Sequence, residues 1–208
     1  MLNPCYKTQA HRGPSHSKHA KDTVVCIAGG PSLTRSDVAA CERAGFPLLG
    51  INNAYQITDK LSHLYACDAK WWHKHYAHTP NCRKFSLEDT EIFDVEKLIN
   101  DGVEGLSHTW PRVRNGRNSG YQALNLAYLL GYTRIILLGY DMQATDNKIH
   151  WHEDHPVNLH NPDSGRMQKW RAYYQGIAQE LASVGVEVIN ASRRTALQCF
   201  PQARLEDV

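Results

Sequence analysis

Short apolar runs alternate along the chain with segments whose apolar residues recur at helical spacing. The run at residues 23–28, Thr-Val-Val-Cys-Ile-Ala, is rich in β-branched side chains, as a strand buried on both faces of a parallel sheet must be. The strongest such run is Arg-Ile-Ile-Leu-Leu at residues 134–138. Further strands are predicted at residues 47–52, 63–67, 83–87, 103–106 and 186–189.

Helices are predicted between these strands. Ser36 is a suitable cap for a helix that runs to residue 43, and Gly45 is a suitable stop. Other segments with helical spacing are residues 69–76, 119–130 and 166–183. Because strands and helices alternate, the chain is predicted to be an α/β protein, a Rossmann-like three-layer α/β/α sandwich with a mostly parallel sheet.

Composition limits the class of protein. The 208 residues are 42% apolar and 21% charged, which is typical of a folded globular chain. We expect residues 1–22 to be a disordered basic tail and residues 23–208 to be a single α/β domain. No stretch has the roughly 18–20 consecutive apolar residues of a membrane-spanning helix, and no signal-peptide pattern is present. We therefore expect a cytoplasmic protein with no membrane partner.

Charge and cysteine spacing exclude further classes. The formal net charge is +2, and the tail alone holds Lys7, Arg12, Lys18 and Lys21 against Asp22. The rest of the chain is therefore nearly neutral, which argues against sequence-specific binding of nucleic acid. The six cysteines are widely spaced without a C-x-x-C pair, which disfavours a zinc ribbon and a disulfide framework.

Polar residues and glycines follow the predicted strands, where α/β sheets form their ligand crevice. These residues, together with the predicted start of the helix at residue 119, are Gly29, Gly30, Ser32, Asn52, Asp68, Asp141, Asn118, Ser119 and Gly120. Glycines let a phosphate approach the backbone, free helix N–H groups favour an anion, and Asn or Asp can bind sugar and base groups. Their shared edge predicts a nucleotide-binding site.

The order of these blocks resembles two related families. The blocks are Ala-Gly-Gly-Pro-Ser-Leu at residues 28–33, Asn52, Asn-Ser-Gly at residues 118–120, Leu-Gly-Tyr at residues 130–132 and Leu-Gly-Tyr-Asp at residues 138–141. They are similar to the bacterial CMP-sialic-acid-dependent sialyltransferases. They are also similar to the archaeal 6-hydroxymethylpterin diphosphokinase-like family, whose relatives include small phage proteins. The closing Asn-Ala-Ser at residues 190–192 and Thr-Ala-Leu at residues 195–197 look more like the second family.

The resemblance to the sialyltransferases implies roles for individual residues. It implies that Gly30, Ser32, Ser119 and Gly120 hold the nucleotide phosphate. It also implies that Asn52 and Asp141 lie near the sugar and the base.

A dense histidine string follows the strand at residues 134–138. Residues 150–155 are His-Trp-His-Glu-Asp-His, within a polar segment at residues 141–162. Three imidazoles and a carboxylate suffice to bind a metal, so His150, His152, Asp154 and His155 are candidate ligands. Histidine also titrates near neutral pH, so His150, His152 and His155, with Asp141, are candidate acid–base catalysts. A solvated polar loop is the third interpretation.

Other clusters are weaker candidates. Arg112, Arg114 and Arg117 precede the helix at residue 119 and are suited to neutralise phosphates. Trp71 follows Asp68, where an aromatic ring can stack on a base, although a buried aromatic patch is the simpler interpretation. Trp170 has the spacing of a core residue in its helix.

The leading hypothesis is a transferase that uses a nucleotide-activated donor, with a histidine of residues 150–155 as acid or base. Glycosyl transfer from a CMP-sugar leads, and pyrophosphoryl transfer from ATP to a pterin-like hydroxymethyl group is the alternative. The second reaction requires a divalent metal. A non-catalytic module that binds or sequesters a nucleotide is the third hypothesis. The expected partners are a small-molecule nucleotide and an acceptor, and the acceptor's identity and homo-oligomer formation are left open.

Overall fold

A computed structural model describes residues 22–146, 148–152 and 163–208. The strands are β1 (Thr23–Ile27), β2 (Leu48–Ile51), β3 (His63–Tyr65), β4 (Arg83–Ser86), β5 (Val95–Lys97), β6 (Ile99–Asn100), β7 (Arg112–Val113), β8 (Arg134–Leu138) and β9 (Glu187–Asn190). The helices are α1 (Arg35–Ala44), α2 (Ala69–His75), α3 (Ser119–Leu129) and α4 (Ser164–Ser183). Three short 3-10 helices lie at Asn52–Gln56, Tyr76–His78 and Leu205–Asp207.

Seven strands form one parallel sheet in the order β5-β4-β3-β2-β1-β8-β9. β6 and β7 form a separate two-stranded sheet. In the main sheet the chain proceeds from β1 to β2 on one side, and β8 pairs with β1 on the other side. The strand order therefore reverses between β1 and β8, which is where open α/β sheets form a ligand crevice.

Apolar clusters cover both faces of the sheet. Val24 and Cys26 of β1 belong to the cluster that contains α3 and α4 residues, whereas Val25 and Ile27 belong to the cluster that contains α1 and α2 residues. Alternate side chains of one strand are thus buried against opposite layers, which explains why residues 24–27 are all apolar. The predicted α/β three-layer sandwich with a parallel sheet is confirmed.

Local capping fixes the helix ends. α1 begins after Thr34, whose side chain accepts a hydrogen bond from the Asp37 N–H while the Asp37 carboxylate accepts from the Thr34 N–H. The predicted cap at Ser36 is therefore wrong, because this capping box forms two residues earlier. Gly45 ends α1 with a φ of 77°, and Asn118 and Asp163 cap α3 and α4 with their side chains.

The middle of the chain departs from the prediction. Residues 103–106 are not a strand, because tertiary contacts occupy their backbone. The Gly105 carbonyl accepts from the Tyr121 hydroxyl, and the Leu106 N–H donates to Glu180 Oε2 at 2.7 Å. The edge strand is instead β5, a three-residue element.

Three further sequence predictions concern a membrane span, the N-terminal tail and the cysteines. No helix among the described residues is long and apolar enough to cross a membrane. Of the predicted tail at residues 1–22, only residue 22 is among the described residues. The five cysteines within the described part of the chain are free thiols.

Candidate functional site

A cavity of about 480 Å³ opens at the carboxyl edge of the sheet, beside the ends of β1 and β8. Its size is typical of small-molecule sites. Eight of the predicted site residues line it: Gly29, Gly30, Asn52, Asp68, Asn118, Ser119, Gly120 and Asp141. His150 and His152 line it as well. The topology thus brings together residues that come from six separate parts of the chain.

The turns that follow β1 and β8 pack against each other at the base of the cavity. The Gly30 N–H donates to the Gly139 carbonyl at 2.8 Å. A Cβ on Gly30 would lie 2.3 Å from Asp141 Oδ1 and 2.4 Å from the Gly139 oxygen, so no side chain fits there. Gly139 itself has a φ of 69° and lies against the Ala28 carbonyl. Close backbone packing therefore requires both glycines.

Ser32 binds Asp141 and does not line the cavity. Its N–H donates to Asp141 Oδ2 and its hydroxyl to Asp141 Oδ1, both at 2.8 Å. Asp141 is 1% exposed, and burial raises the pKa of its carboxyl to about 6 despite these hydrogen bonds, which act in the opposite direction. The structure therefore gives Ser32 a contact that differs from the phosphate contact implied by the resemblance. Asp141 joins two loops, and its direct catalytic role stays a prediction.

The first turn of α3 points into the cavity. The Asn118 side chain accepts hydrogen bonds from the Tyr121 N–H and the Tyr174 hydroxyl, and the Tyr140 hydroxyl donates to the Gly120 carbonyl. The N–H groups of a first helical turn have no acceptor within their own helix. Ser119 and Gly120 therefore present a rigid set of donors to an anion.

Asn52 follows β2 and has a strained backbone with a φ of 51°. Its Oδ1 atom is buried and has no hydrogen-bond partner among the described residues. Arg117 and Met142 also line the cavity with positive φ values, 53° and 49°. Left-handed backbone at non-glycine residues costs energy and is concentrated at functional sites. Its occurrence at three positions in one cavity supports a functional role for the cavity.

Asp68 precedes α2, but its side chain does not cap that helix. Glu88 does so instead, since its Oε2 atom accepts from the Ala69 N–H at 2.9 Å. The Asp68 side chain is exposed toward the open cavity. Partial desolvation by the cavity wall, followed by the charge of Glu88, raises the pKa of its carboxyl. Asp68 is therefore a carboxylate that borders the cavity and does not cap α2.

The described part of the histidine string packs onto the turn after β1. The Trp151 N–H donates to the Gly29 carbonyl at 3.1 Å. The rings of His150 and His152 are stacked, with centroids 4.9 Å apart and planes 4° from parallel. A Cβ on Gly29 would lie 3.2 Å from His150 Nδ1. Both imidazoles are thus fixed beside a glycine of the cavity wall.

The predicted metal site is only partly described. Asp154 and His155 lie outside the described residues. Within residues 22–146, 148–152 and 163–208, no three His, Cys, Asp or Glu side chains form a group that could hold a metal ion. The metal set His150, His152, Asp154 and His155 therefore stays a prediction, as does an acid–base role for His155.

The three arginines before α3 make different contacts. Arg112 and Arg114 approach the Asp101 carboxylate to 3.7 and 3.8 Å and act within the fold. Arg117 is exposed and lines the cavity. Of the three cations considered, Arg117 is the one placed to meet a phosphate.

Sequence reasoning missed three residues of α4 that line the cavity, Arg166, Met167 and Trp170. Arg166 lines the cavity, and Trp170 does so too although its spacing predicted a core position. The core prediction for Trp170 is wrong because the first turns of α4 border the cavity, whereas Tyr174 and Ile177 further along are fully buried. Positions 166 and 170 lie on one helix face, close to the end of the polar segment. That arrangement could have indicated that both residues border the cavity. Trp71 borders the cavity from α2, but it is buried and packs against Trp72 and His75, so the simpler prediction of a buried aromatic patch is confirmed.

No protein-family model, curated protein sequence or solved structure matches the chain. The likeness to the sialyltransferase and diphosphokinase-like families therefore stays a prediction from the sequence blocks. The class that the structure defines is an α/β protein with a parallel sheet.

Proposed function

We propose that the protein is a transferase that binds a nucleotide-activated donor in the cavity at the ends of β1 and β8. The observation that carries this proposal is that the start of α3, two arginines and the half-buried Trp170 indole line one cavity at the strand reversal. Phosphate needs positive charge and N–H donors, and a base needs a flat apolar surface. A nucleotide supplies both kinds of group in one molecule.

The phosphate is assigned to the start of α3. Ser119 and Gly120 line the cavity there, and the positive end of the α3 dipole adds to the charge of Arg117. Arg166 lines the same cavity from the first turn of α4. Together these groups favour a leaving group that carries negative charge, as the phosphate of an activated donor does.

The leading reaction is glycosyl transfer. The acceptor hydroxyl oxygen attacks the anomeric carbon of the donor, the bond from that carbon to the phosphate oxygen breaks, and the acceptor proton passes to an imidazole. His150 and His152 are the candidate bases because both line the cavity beside Gly29. General base catalysis by histidine is effective near neutral pH. The nucleotide leaves with the bonding electrons on its phosphate.

Pyrophosphoryl transfer from ATP is the second candidate. The observation that favours it is a pair of carboxylates, Asp68 and Asp141, in the same cavity. Carboxylate oxygens are the protein ligands that Mg²⁺ prefers, and Mg²⁺ would neutralise charge on the phosphates. Asp68 is the better suited of the two, because both Asp141 oxygens already accept hydrogen bonds from Ser32.

A thermal-shift screen tests the binding step. CMP, UDP, GDP and ATP are each added with and without Mg²⁺, and a ligand that binds the folded state raises the midpoint of unfolding. We expect stabilisation by at least one nucleotide, and its loss in Arg117→Ala but not in Arg43→Ala, an exposed arginine at the end of α1. Dependence on Mg²⁺ favours pyrophosphoryl transfer, and independence favours glycosyl transfer. No stabilisation by any nucleotide would overturn the proposal.

A second assay separates a transferase from a binding module. The stabilising nucleotide donor is incubated with the protein, and released nucleotide is measured over time. A transferase releases nucleotide even without its acceptor, because water slowly replaces the acceptor. We expect this release to be slower in His150→Ala. A sequestering module returns the ligand intact.

A further inference from the structure

The chain after β9 wraps around the end of β8. The Tyr140 N–H donates to Ser192 Oγ at 2.8 Å, and the Tyr140 carbonyl accepts from Thr195 Oγ1 at 2.8 Å. The Asp141 carbonyl accepts from the Ala196 N–H at 2.7 Å. Residues 190–197, which we call the β9 brace, therefore bind three backbone groups of Tyr140 and Asp141.

The Thr195 hydroxyl is fully used in this brace. It accepts from Asn190 Nδ2 at 3.1 Å and from the Leu197 N–H at 2.9 Å, and it donates to the Tyr140 carbonyl. A hydroxyl has one donor and two acceptor positions, so every position is occupied. The Asn190 side chain is completely buried, and its Oδ1 atom accepts from the Ser192 N–H at 3.1 Å. The brace is thus rigid by its own hydrogen bonds.

The brace also reaches the turn after β1. The Arg194 N–H donates to Ser32 Oγ at 3.3 Å, and Ser32 in turn donates twice to Asp141. The loops that follow β1, β8 and β9 are therefore joined in one network. Two of them, through Gly29, Gly30 and Asp141, form the cavity wall.

We propose that Ser192 and Thr195 are positioning residues of the nucleotide site. They touch no part of the cavity themselves and act through Tyr140, Asp141 and Ser32 on the wall that the donor contacts. This inference rests on the proposed function for its effect on ligand, but the coupling between the loops is a property of the protein alone. Rigid supporting hydrogen bonds of this kind hold a site in its productive geometry.

Amide hydrogen exchange tests the coupling without any ligand. Thr195→Val keeps the shape of the side chain and removes the hydroxyl, and Thr195→Ser keeps the hydroxyl. We expect exchange of the Ser32 amide, on a different loop, to become at least about tenfold faster in the valine variant and to return toward the wild-type rate in the serine variant. The matched control is Thr79→Val, which removes a hydroxyl bond to the Tyr76 carbonyl away from the cavity. An unchanged rate at Ser32 would overturn the inference.

Ser192→Ala provides a second route should the valine variant fail to fold. It removes only the acceptor of the Tyr140 N–H, and the Ser32 amide should again exchange faster. Unaltered exchange at Ser32 in this variant contradicts the proposal as well.

A double-mutant cycle tests the consequence for binding. With the nucleotide that stabilises the wild type, Thr195→Val should raise Kd by roughly 3- to 30-fold, and by much less when Asp141 is already Asn. Equal effects in both backgrounds would show that Thr195 does not act through Asp141, which overturns the inference. If no nucleotide binds the wild type, the proposed function fails, while the exchange result still decides the coupling.

Discussion

Ser32 and Asp141, 109 positions apart in the sequence, are joined by two hydrogen bonds of 2.8 Å, one from the serine N–H and one from its hydroxyl. This pair connects the turn after β1 to the turn after β8 at the point where the strand order reverses. Asp141 is almost fully buried, and a buried charge is costly unless it is hydrogen-bonded. The two bonds from Ser32 therefore stabilise the charged carboxylate. The base of the cavity is therefore sensitive to proton binding at a single carboxyl group.

The stability of the protein should depend on pH through Asp141. Its carboxyl pKa is about 6 in the folded protein against 3.8 for the ordinary group, so the folded state binds the proton more tightly. The free energy of unfolding should therefore fall as pH rises from about 4 to about 6, by on the order of 3 kcal/mol from this group. Denaturant unfolding of the wild type and of Asp141→Asn at several pH values measures this contribution.

The Asp141→Asn variant should lack that fall, because its side chain does not ionise. The control is Asp59→Asn, an exposed residue, which should retain the wild-type slope. Parallel pH profiles for the wild type and Asp141→Asn would contradict the assignment.

Ser32→Ala should raise the Asp141 pKa further. The serine hydroxyl and N–H both lower that pKa by binding the charged form, and the variant removes the hydroxyl bond. Loss of a hydrogen bond to a charged group should also cost about 1.5–3 kcal/mol at neutral pH. A carbon-detected NMR titration of the carboxyl group reports the pKa, and Ser36→Ala, an exposed serine in α1, is the control. A midpoint that stays unchanged or moves to lower pH would exclude the hydrogen bond as a determinant.

Two neighbouring glycines should respond differently to substitution. Gly29→Ala places a methyl group 3.2 Å from His150 Nδ1, a contact that a small shift of the histidine loop can relieve. Gly30→Ala places it within 2.4 Å of Asp141 and of the Gly139 carbonyl, both part of the packed cavity base. We expect a loss of stability below about 1 kcal/mol for Gly29→Ala and of at least about 2–3 kcal/mol for Gly30→Ala.

Chemical unfolding of both glycine variants measures this difference, and nucleotide turnover should fall in Gly29→Ala while its fold is retained. A bulky residue at Gly30 would disturb the fold together with the site, so it cannot by itself distinguish a binding role from a structural one. Equal stability of the two variants would contradict the packing derived for Gly30.

The histidines should contribute to turnover. If His150 or His152 transfers the proton, its replacement by Ala should lower turnover by about 10²–10⁴-fold with little effect on donor binding. A role in metal binding predicts instead that each replacement removes bound metal, measured by elemental analysis. His108→Ala is the control, since that exposed histidine is bonded to Tyr128 outside the cavity. Full activity of both His150→Ala and His152→Ala would instead favour the interpretation of these residues as part of a solvated polar loop.

The sequence predicts those parts of the fold that local pattern determines. β1 and β8 are long apolar runs, and α3 and α4 have clear helical spacing, so all four were predicted within two residues of the limits observed. β5 has the sequence Val-Glu-Lys and is held mainly by pairing with β4, which no local pattern shows. The error at residues 103–106 has the same origin, because Tyr121 and Glu180 occupy that backbone from distant positions.

Site residues that follow strands could be predicted from the sequence. Site residues on a helix face were harder to predict. Gly29, Asn52 and Asp68 were found because they come directly after strands. The role of Ser32 was not predicted, because the sequence does not show that its N–H and its hydroxyl both donate to Asp141. Trp170 has the spacing of a core residue, and only the position of α4 relative to the sheet edge brings it to the cavity.

The proposed function requires that a nucleotide binds at the ends of β1 and β8 with its phosphate at the start of α3. Amide NMR spectra of the labelled protein, recorded as the stabilising nucleotide is added, test this claim directly. We predict the largest shifts at Gly29, Ser119 and Gly120, and little change at Ser36 in the first turn of α1, which does not line the cavity. Saturable shifts confined to residues outside the cavity, or equal shifts at both helix starts, would contradict it.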